Sequence, residues 1–206
     1  MSLPYSYVKE ILEVTATGLV QDAISSPLLR QLYVTFVMGE LDIKPAIASV
    51  TKQLLRHYDA GELVIVAQCV ANGWVSFAAL MDMGVNAYVI QLYTKEQYLG
   101  NRIGIECMKA VTAKYANVSL TCGSRLVGYY EKLGFRDWGF QKTEAANNDA
   151  QIAQATVSCL HTMHFGESKE AASYAMLDED FVFLIDGVHV NAATLIAQSA
   201  RKGGDV

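Results

Sequence analysis

Residues 128–135 read Gly-Tyr-Tyr-Glu-Lys-Leu-Gly-Phe. Two adjacent phenols stand beside a charged pair, and a phenol with a pKa near ~10 carries a donatable proton at neutral pH. The residues alone leave two readings open. One tyrosine handles a proton, or both are ordinary residues of a helix's last turn. His161 and His164 form a second cluster, three residues apart and so on one face if helical. With His189 and a carboxylate such as Glu167 they could ligate a metal. Histidines at this spacing are more often packing or surface residues, and the sequence is read as carrying no metal.

Composition narrows the setting for such chemistry. The chain has 206 residues, 52% of them hydrophobic and 18% charged, which is enough apolar material for a buried core and too little charge for general disorder. Its net charge of −5, without a run of Lys or Arg, makes a nucleic-acid groove or an anionic membrane a poor partner. Cys69, Cys107, Cys122 and Cys159 lack a CxxC pairing and are expected as buried free thiols. With no signal core and no run long enough to span a bilayer, a cytoplasmic protein is expected.

The elements that must place the tyrosines follow from periodicity. Apolar spacing predicts helices over 5–24, 28–41 and 45–59, the last opened by Pro45. Residues 63–70 and 74–83 read as strands joined through Asn72-Gly73, a strong hairpin turn, and 87–94 as a third strand completing an antiparallel meander. A glycine-containing stretch, 95–104, leads into a helix over 105–116. A strand over 117–122, a helix over 124–133 with Ser124 as its N-cap candidate, and a strand over 135–140 follow. Gly134 stands where only glycine enters the left-handed conformation freely. The fold class is α/β (α+β): a mixed, mostly antiparallel central sheet flanked by helices. Residues 144–206 are expected as an extension packing on the 1–143 domain, helical over 144–165, with a hairpin at 181–190 turning on Asp186-Gly187 and a helix over 191–202.

Strand, glycine loop, helix, strand, and a helix ending Tyr-Glu-Lys-Leu-Gly-Phe together resemble the GCN5-related N-acetyltransferase (GNAT) family over roughly residues 60–140. The family transfers an acyl group from acyl-CoA to an amine. It holds the CoA diphosphate on a loop of pattern (Arg/Gln)-x-x-Gly-x-(Gly/Ala), whose backbone N–H groups and helix dipole suit an anion. Two registers compete here: Gln97-Tyr98-Leu99-Gly100-Asn101-Arg102, and Leu99-Gly100-Asn101-Arg102-Ile103-Gly104. Arg102 either obstructs the cofactor's path or reaches a phosphate as a charged donor. The short Thr121-Cys122-Gly123-Ser124 connection resembles a compact subgroup, with Ser124 at the cofactor. The resemblance also implies that strand 87–94 splays from its neighbour and lines the thioester with Leu92, Tyr93 and Thr94.

By the same resemblance Tyr130, four residues before the glycine of Leu-Gly-Phe, protonates the departing thiolate. Tyr129, turned about 100° away on a helix, packs against the sheet. A base for the amine has to come within hydrogen-bond reach. Glu40 and Asp82 are the first candidates, with Asp42 beside Glu40, and each taken singly reads more readily as a solvated surface carboxylate. The implied function is N-acyl transfer from acetyl-CoA to an amine acceptor by direct attack. The alternative is a non-catalytic binding or structural module, of phage or mobile-element origin. The extension could make a homodimer interface.

Overall fold

The computed structural model describes residues 3–24, 43–140 and 160–168. Helix α1 (Tyr5–Ile24) turns Val8, Ile11, Leu12, Ala16 and Val20 inward at helical spacing, each fully buried. Helix α2 (Lys44–Asp59) has proline in its first turn and buries Val50 and Leu54. Neither helix, nor any other among the described residues, is long and apolar enough to cross a membrane. The expected helix at 28–41, the hairpin at 181–190 and the final helix lie outside the described residues, as do Glu40, Asp42, Cys159 and His189.

Strands β1 (Leu63–Val70), β2 (Gly73–Met83) and β3 (Asn86–Thr94) form the expected antiparallel meander. Helix α3 (Ile103–Lys114) carries the chain across to β4 (Asn117–Gly123), which runs parallel to β3. A 3₁₀ turn at Ser124–Leu126 leads into the short helix α4 (Val127–Glu131), then β5 (Arg136–Phe140) and β6 (Leu160–Phe165). The sheet is six-stranded in the order β1-β2-β3-β4-β6-β5. It is a mixed, mostly antiparallel sheet flanked by helices.

Two apolar layers sandwich this sheet. On one face Ala78, Leu80, Val89, Leu120 and Met163 meet Met108 and Val111 of α3 and Tyr130 of α4. On the other, Leu63, Met81, Trp74 and Phe77 meet α1 and α2. Covered on both faces, β2 is buried along nearly its whole length, which is why Trp-Val-Ser-Phe-Ala-Ala-Leu shows no polar alternation.

Three expectations change. Residues 160–165 form a strand rather than the end of a helix, and β6 slots between β4 and β5. Met163 is buried and Phe165 partly buried on the α3 side, while the adjacent His164 is buried on the opposite face. The sheet therefore draws on both sides of residue 143. On a strand, residues three apart point to opposite faces, so His161 and His164 do not share one. Cys107 and Cys122 are buried free thiols, but Cys69 is exposed near the β1–β2 hairpin, where β1 leaves the core.

Candidate active site

The site begins with a misfit in β3. Its ladder with β2 skips at Ile90: Ala79 pairs with Gln91 while Leu80 pairs with Val89. Such a bulge adds one residue, bends the strand and flips the faces that follow. Ala87 and Val89 face α3 before the bulge, and Leu92 and Thr94 do so after it. Tyr93 points the other way, stacking on Phe77 at 5.7 Å. The parallel ladder between β3 and β4 ends at the same place, running from Asn86↔Asn117 to Val89↔Leu120 and no further. Tyr88 and Thr121 hydroxyls, 3.1 Å apart, tie the strands at the fork. Beyond it each strand continues, β3 to Thr94 and β4 to Gly123, with a gap between them.

That gap opens onto a cleft of about 370 Å³. Leu92 and Thr94 of β3, Tyr98 to Ile105 apart from Asn101, and Leu126, Tyr129 and Tyr130 form its walls. Gln97, Asn101, Tyr93 and Ser124 are not among them. The loop takes left-handed backbone at Gly100 (φ 82°) and Arg102 (φ 60°). Both lie within each of the two registers, as the fourth and sixth positions of the one that starts at Gln97 and the second and fourth of the one that starts at Leu99. A left-handed arginine is strained, by about 1 kcal/mol, and Arg102 occupies the cap position of α3 without giving it a side-chain hydrogen bond. Ile103 and Gly104, the first residues of α3, stand at the cleft wall, while the Ile105 and Glu106 N–H groups donate to the Arg102 carbonyl.

Gly104 has a different reason to be glycine. A Cβ there would meet Thr94 Oγ1 at 3.1 Å, the Tyr129 hydroxyl at 3.4 Å and Leu92 Cδ2 at 3.9 Å. Helix, strand and tyrosine thus converge at one point. Thr94 is fixed: Ser76 Oγ donates to the Tyr93 carbonyl at 2.8 Å and lies 2.8 Å from Thr94 Oγ1. Ser76 has a single hydroxyl hydrogen, so Thr94 is the donor between them and keeps its lone pairs for another partner.

The two tyrosines divide as neighbours on a helix must. Tyr130 is 6% exposed and packs edge-on against Phe135 at 5.7 Å and Tyr129 at 5.0 Å. Burial, then the nearby Cys122 and Tyr129, pushes its phenol well above the ordinary range, so it stays protonated. Tyr129 is half-buried; its ring joins the core while its hydroxyl reaches Gly104. Desolvation also raises the Tyr129 phenol and the Cys107 thiol, and takes Cys122 to about 11. Neither thiol is a ready nucleophile.

Asp82 is not brought to the cleft. It pairs with Ala87, before the fork, while the cleft begins at Leu92, roughly 15 Å further along at ~3.3 Å per residue. Tyr115 Oη donates to its carboxylate at 2.7 Å, Lys114 Nζ stands 3.5 Å away, and the Gly84 N–H donates at 2.9 Å. The Tyr115 hydrogen bond leads in holding the carboxyl below its usual range. A depressed carboxylate contributes stability above its unfolded pKa, and that contribution is lost as pH falls through the lower, folded value. Asp82→Asn is expected to leave turnover within about twofold. Its denaturation midpoint should fall at pH 7, the difference from native closing below about pH 4. A large loss of turnover would return Asp82 to the reaction.

The histidines have separate partners. His164 is buried, with Ser119 Oγ 3.0 Å from Nδ1 and Trp138 tilted over its ring at 4.3 Å; desolvation lowers its pKa. His161 stands between Ser124 Oγ, 3.1 Å from Nε2, and Asp137 Oδ2, 2.7 Å from Nδ1. Ser124 therefore points to His161 rather than capping a helix. Among the described residues no group of three or more His, Cys, Asp or Glu is arranged to hold a metal.

Solved structures similar to this chain are GNAT-family and other N-acetyltransferases. An acetyltransferase from Streptococcus agalactiae 2603 has a TM-score of 0.47 at 15% identity, over 81% of this chain and 95% of that one. The PaiA N-acetyltransferase from Thermoplasma acidophilum in complex with coenzyme A has 0.44 at 13%, over 75% and 94%. A GNAT family acetyltransferase from Elizabethkingia anophelis with acetyl-CoA bound has 0.42 at 15%, over 56% and 83%. At these identities and TM-scores they are likenesses of shape alone. Neither a family model nor a curated protein matches the chain.

Proposed function

We propose that the cleft binds acyl-CoA and that the protein transfers the acyl group, acetyl in the simplest case, to an amine. The parting of β3 from β4 at the Ile90 bulge carries this reading, because β3 past the bulge stays paired with β2 but its β4-facing edge has no strand partner among the described residues. A pantetheine arm has amides that can pair with such an edge, and the Thr94 lone pairs offer one acceptor more. The diphosphate would lie on the loop from Tyr98 to Arg102 and the uncapped start of α3, where backbone N–H groups and the helix dipole favour an anion. Arg102, exposed at the wall, adds a charged donor. Leu92 and Leu126 give the arm an apolar lining.

Chemistry in such a slot is mainly positioning. The β3 backbone polarises the thioester carbonyl, the amine attacks directly, and Tyr130 gives its proton to the leaving sulfur. The acceptor's proton leaves through water or a group outside the described residues. A cytoplasmic setting and a dimer made through the C-terminal residues belong to the same proposal.

Calorimetric titration with acetyl-CoA tests it. A saturable isotherm is expected, and Gly104→Val, which fills the point where Thr94, Leu92 and Tyr129 meet, should weaken it at least ~10-fold (about 1.4 kcal/mol). No heat with the native chain would leave the fold as a non-catalytic module.

A further inference from the structure

Ser124, Asp137 and His161 are distant in sequence and come together because β6 enters the sheet between β4 and β5. His161 is the cross-strand partner of Cys122 at the end of β4, so its ring lies beside the turn that carries Ser124. The geometry is a linear relay: Ser124 Oγ is 3.1 Å from Nε2 and Asp137 Oδ2 is 2.7 Å from Nδ1. The carboxylate is itself fixed, since its other oxygen accepts the Gly139 N–H at 2.7 Å. The imidazole side chain is 14% exposed and the carboxylate 26%, while Ser124 is open to solvent. A hydrogen-bonded tie serving only to hold a turn has no need of an open hydroxyl at one end and an oriented carboxylate at the other. Nucleophile, base and orienting acid at these distances are the arrangement that activates a serine.

We propose that Ser124, His161 and Asp137 form a second reactive site, in which Ser124 takes an acyl group from activated esters or thioesters and passes it to water. In the first step the bond from Ser124 Oγ to the acyl carbon forms and the bond to the leaving oxygen or sulfur breaks. The hydroxyl proton moves to His161 Nε2 and from there to the leaving group. Water then repeats the sequence in reverse: its oxygen bonds the acyl carbon, the Oγ–C bond breaks, and the proton returns to Oγ through Nε2. Asp137 is a positioning residue that keeps Nδ1 protonated and Nε2 turned to the serine. Leu126, two residues after Ser124, lines the cleft, so the reactive hydroxyl sits on the turn that enters one of its walls.

This site does not depend on acyl-CoA binding, and its test is independent of it. The full chain is treated with a fluorophosphonate probe, which phosphonylates activated serines with loss of fluoride, and the labelled peptide is identified by mass spectrometry. Label is expected at Ser124, with His161→Gln slowing it by about a hundredfold or more. Hydrolysis of p-nitrophenyl acetate should be lost in Ser124→Ala. Asp137→Asn should slow labelling and Asp137→Glu restore part of it. A native chain that takes no label at Ser124, or a His161→Gln chain labelled at the native rate, overturns the proposal whatever the calorimetry with acetyl-CoA gives. Labelling unchanged in Asp137→Asn removes Asp137 from it.

Discussion

Tyr130→Phe is expected to lower turnover of acetyl-CoA with an amine acceptor by about a hundredfold or more, the usual worth of a positioned general acid, while acetyl-CoA affinity stays within about twofold. The substitution removes one oxygen and keeps the ring that packs against Phe135 and Tyr129. Fold and cleft shape are therefore retained, and the loss is chemical. A phenol pushed above its ordinary range is a weaker acid in the ground state, which by itself disfavours donation. The same desolvation acts on the leaving thiolate, whose proton affinity rises when it forms in the same dry wall. What matters is that the two are raised together and that the phenol is never found ionised near neutrality. Turnover is then expected to show no alkaline loss from Tyr130 below about pH 10. Tyr129→Phe supplies the contrast. Its hydroxyl lies at Gly104 beside Thr94, so its loss should raise KM more than it lowers kcat. Equal turnover in Tyr130→Phe would end the role assigned to that phenol. A kcat loss confined to Tyr129→Phe would transfer the role to its neighbour.

Much of the scaffold was legible because its signals are local. Asn72-Gly73 marks the first hairpin, and Gly134, at φ 88°, ends the tyrosine helix as its position required. The glycine loop was legible as a loop, but its register was not: both readings fit the letters, and the left-handed backbone at Gly100 and Arg102 falls within both. The bulge at Ile90 has no signature at all. Val-Ile-Gln-Leu-Tyr reads as an even strand, and the extra residue comes from how β3 must fit β2 while leaving β4. Reading straight alternation through it would have put Leu92 and Thr94 on the α1 face, away from the cleft.

Non-local pairing hid the rest. The alanine-rich stretch before residue 160 reads as helical, and carrying that reading onward concealed the strand Leu160–Phe165, whose apolar residues at 160, 163 and 165 keep no period of two that would announce it. With it went the meeting of Ser124, Asp137 and His161, whose separations follow from strand order alone. Asp82 shows the converse error. A carboxylate at a strand end looks available, yet Tyr115 and Lys114, adjacent at the end of α3, reach back to hold it.

The insertion of β6 makes its own demand, and Gly166 is where it is most exposed to change. This residue follows β6 directly, and its φ of 112° is one that side chains rarely adopt. A Cβ built on it would lie 2.4 Å from the Ala116 carbonyl oxygen, 2.4 Å from Asn117 Oδ1 and 3.0 Å from Asn117 Cα. Two of those three are backbone, so no rotamer change relieves them. The Gly166 carbonyl also accepts from the Arg136 guanidinium, and Asn117 Oδ1 accepts the Ser168 N–H at 3.0 Å. A shift of the chain would therefore cost hydrogen bonds on both neighbouring strands. Backbone strain of about 1–3 kcal/mol and the steric term act together, so Gly166→Ala is expected to lower stability by about 2–4 kcal/mol in chemical denaturation. The same change should slow fluorophosphonate labelling of Ser124, since His161 reaches that serine only while β6 keeps its register with β4. Loss of labelling without loss of stability would mean that the strand end adapts by sliding. A denaturation midpoint equal to the native one, with labelling intact, would mean that β6 does not end against Ala116 and Asn117, and the strand order β4-β6-β5 would fall with it.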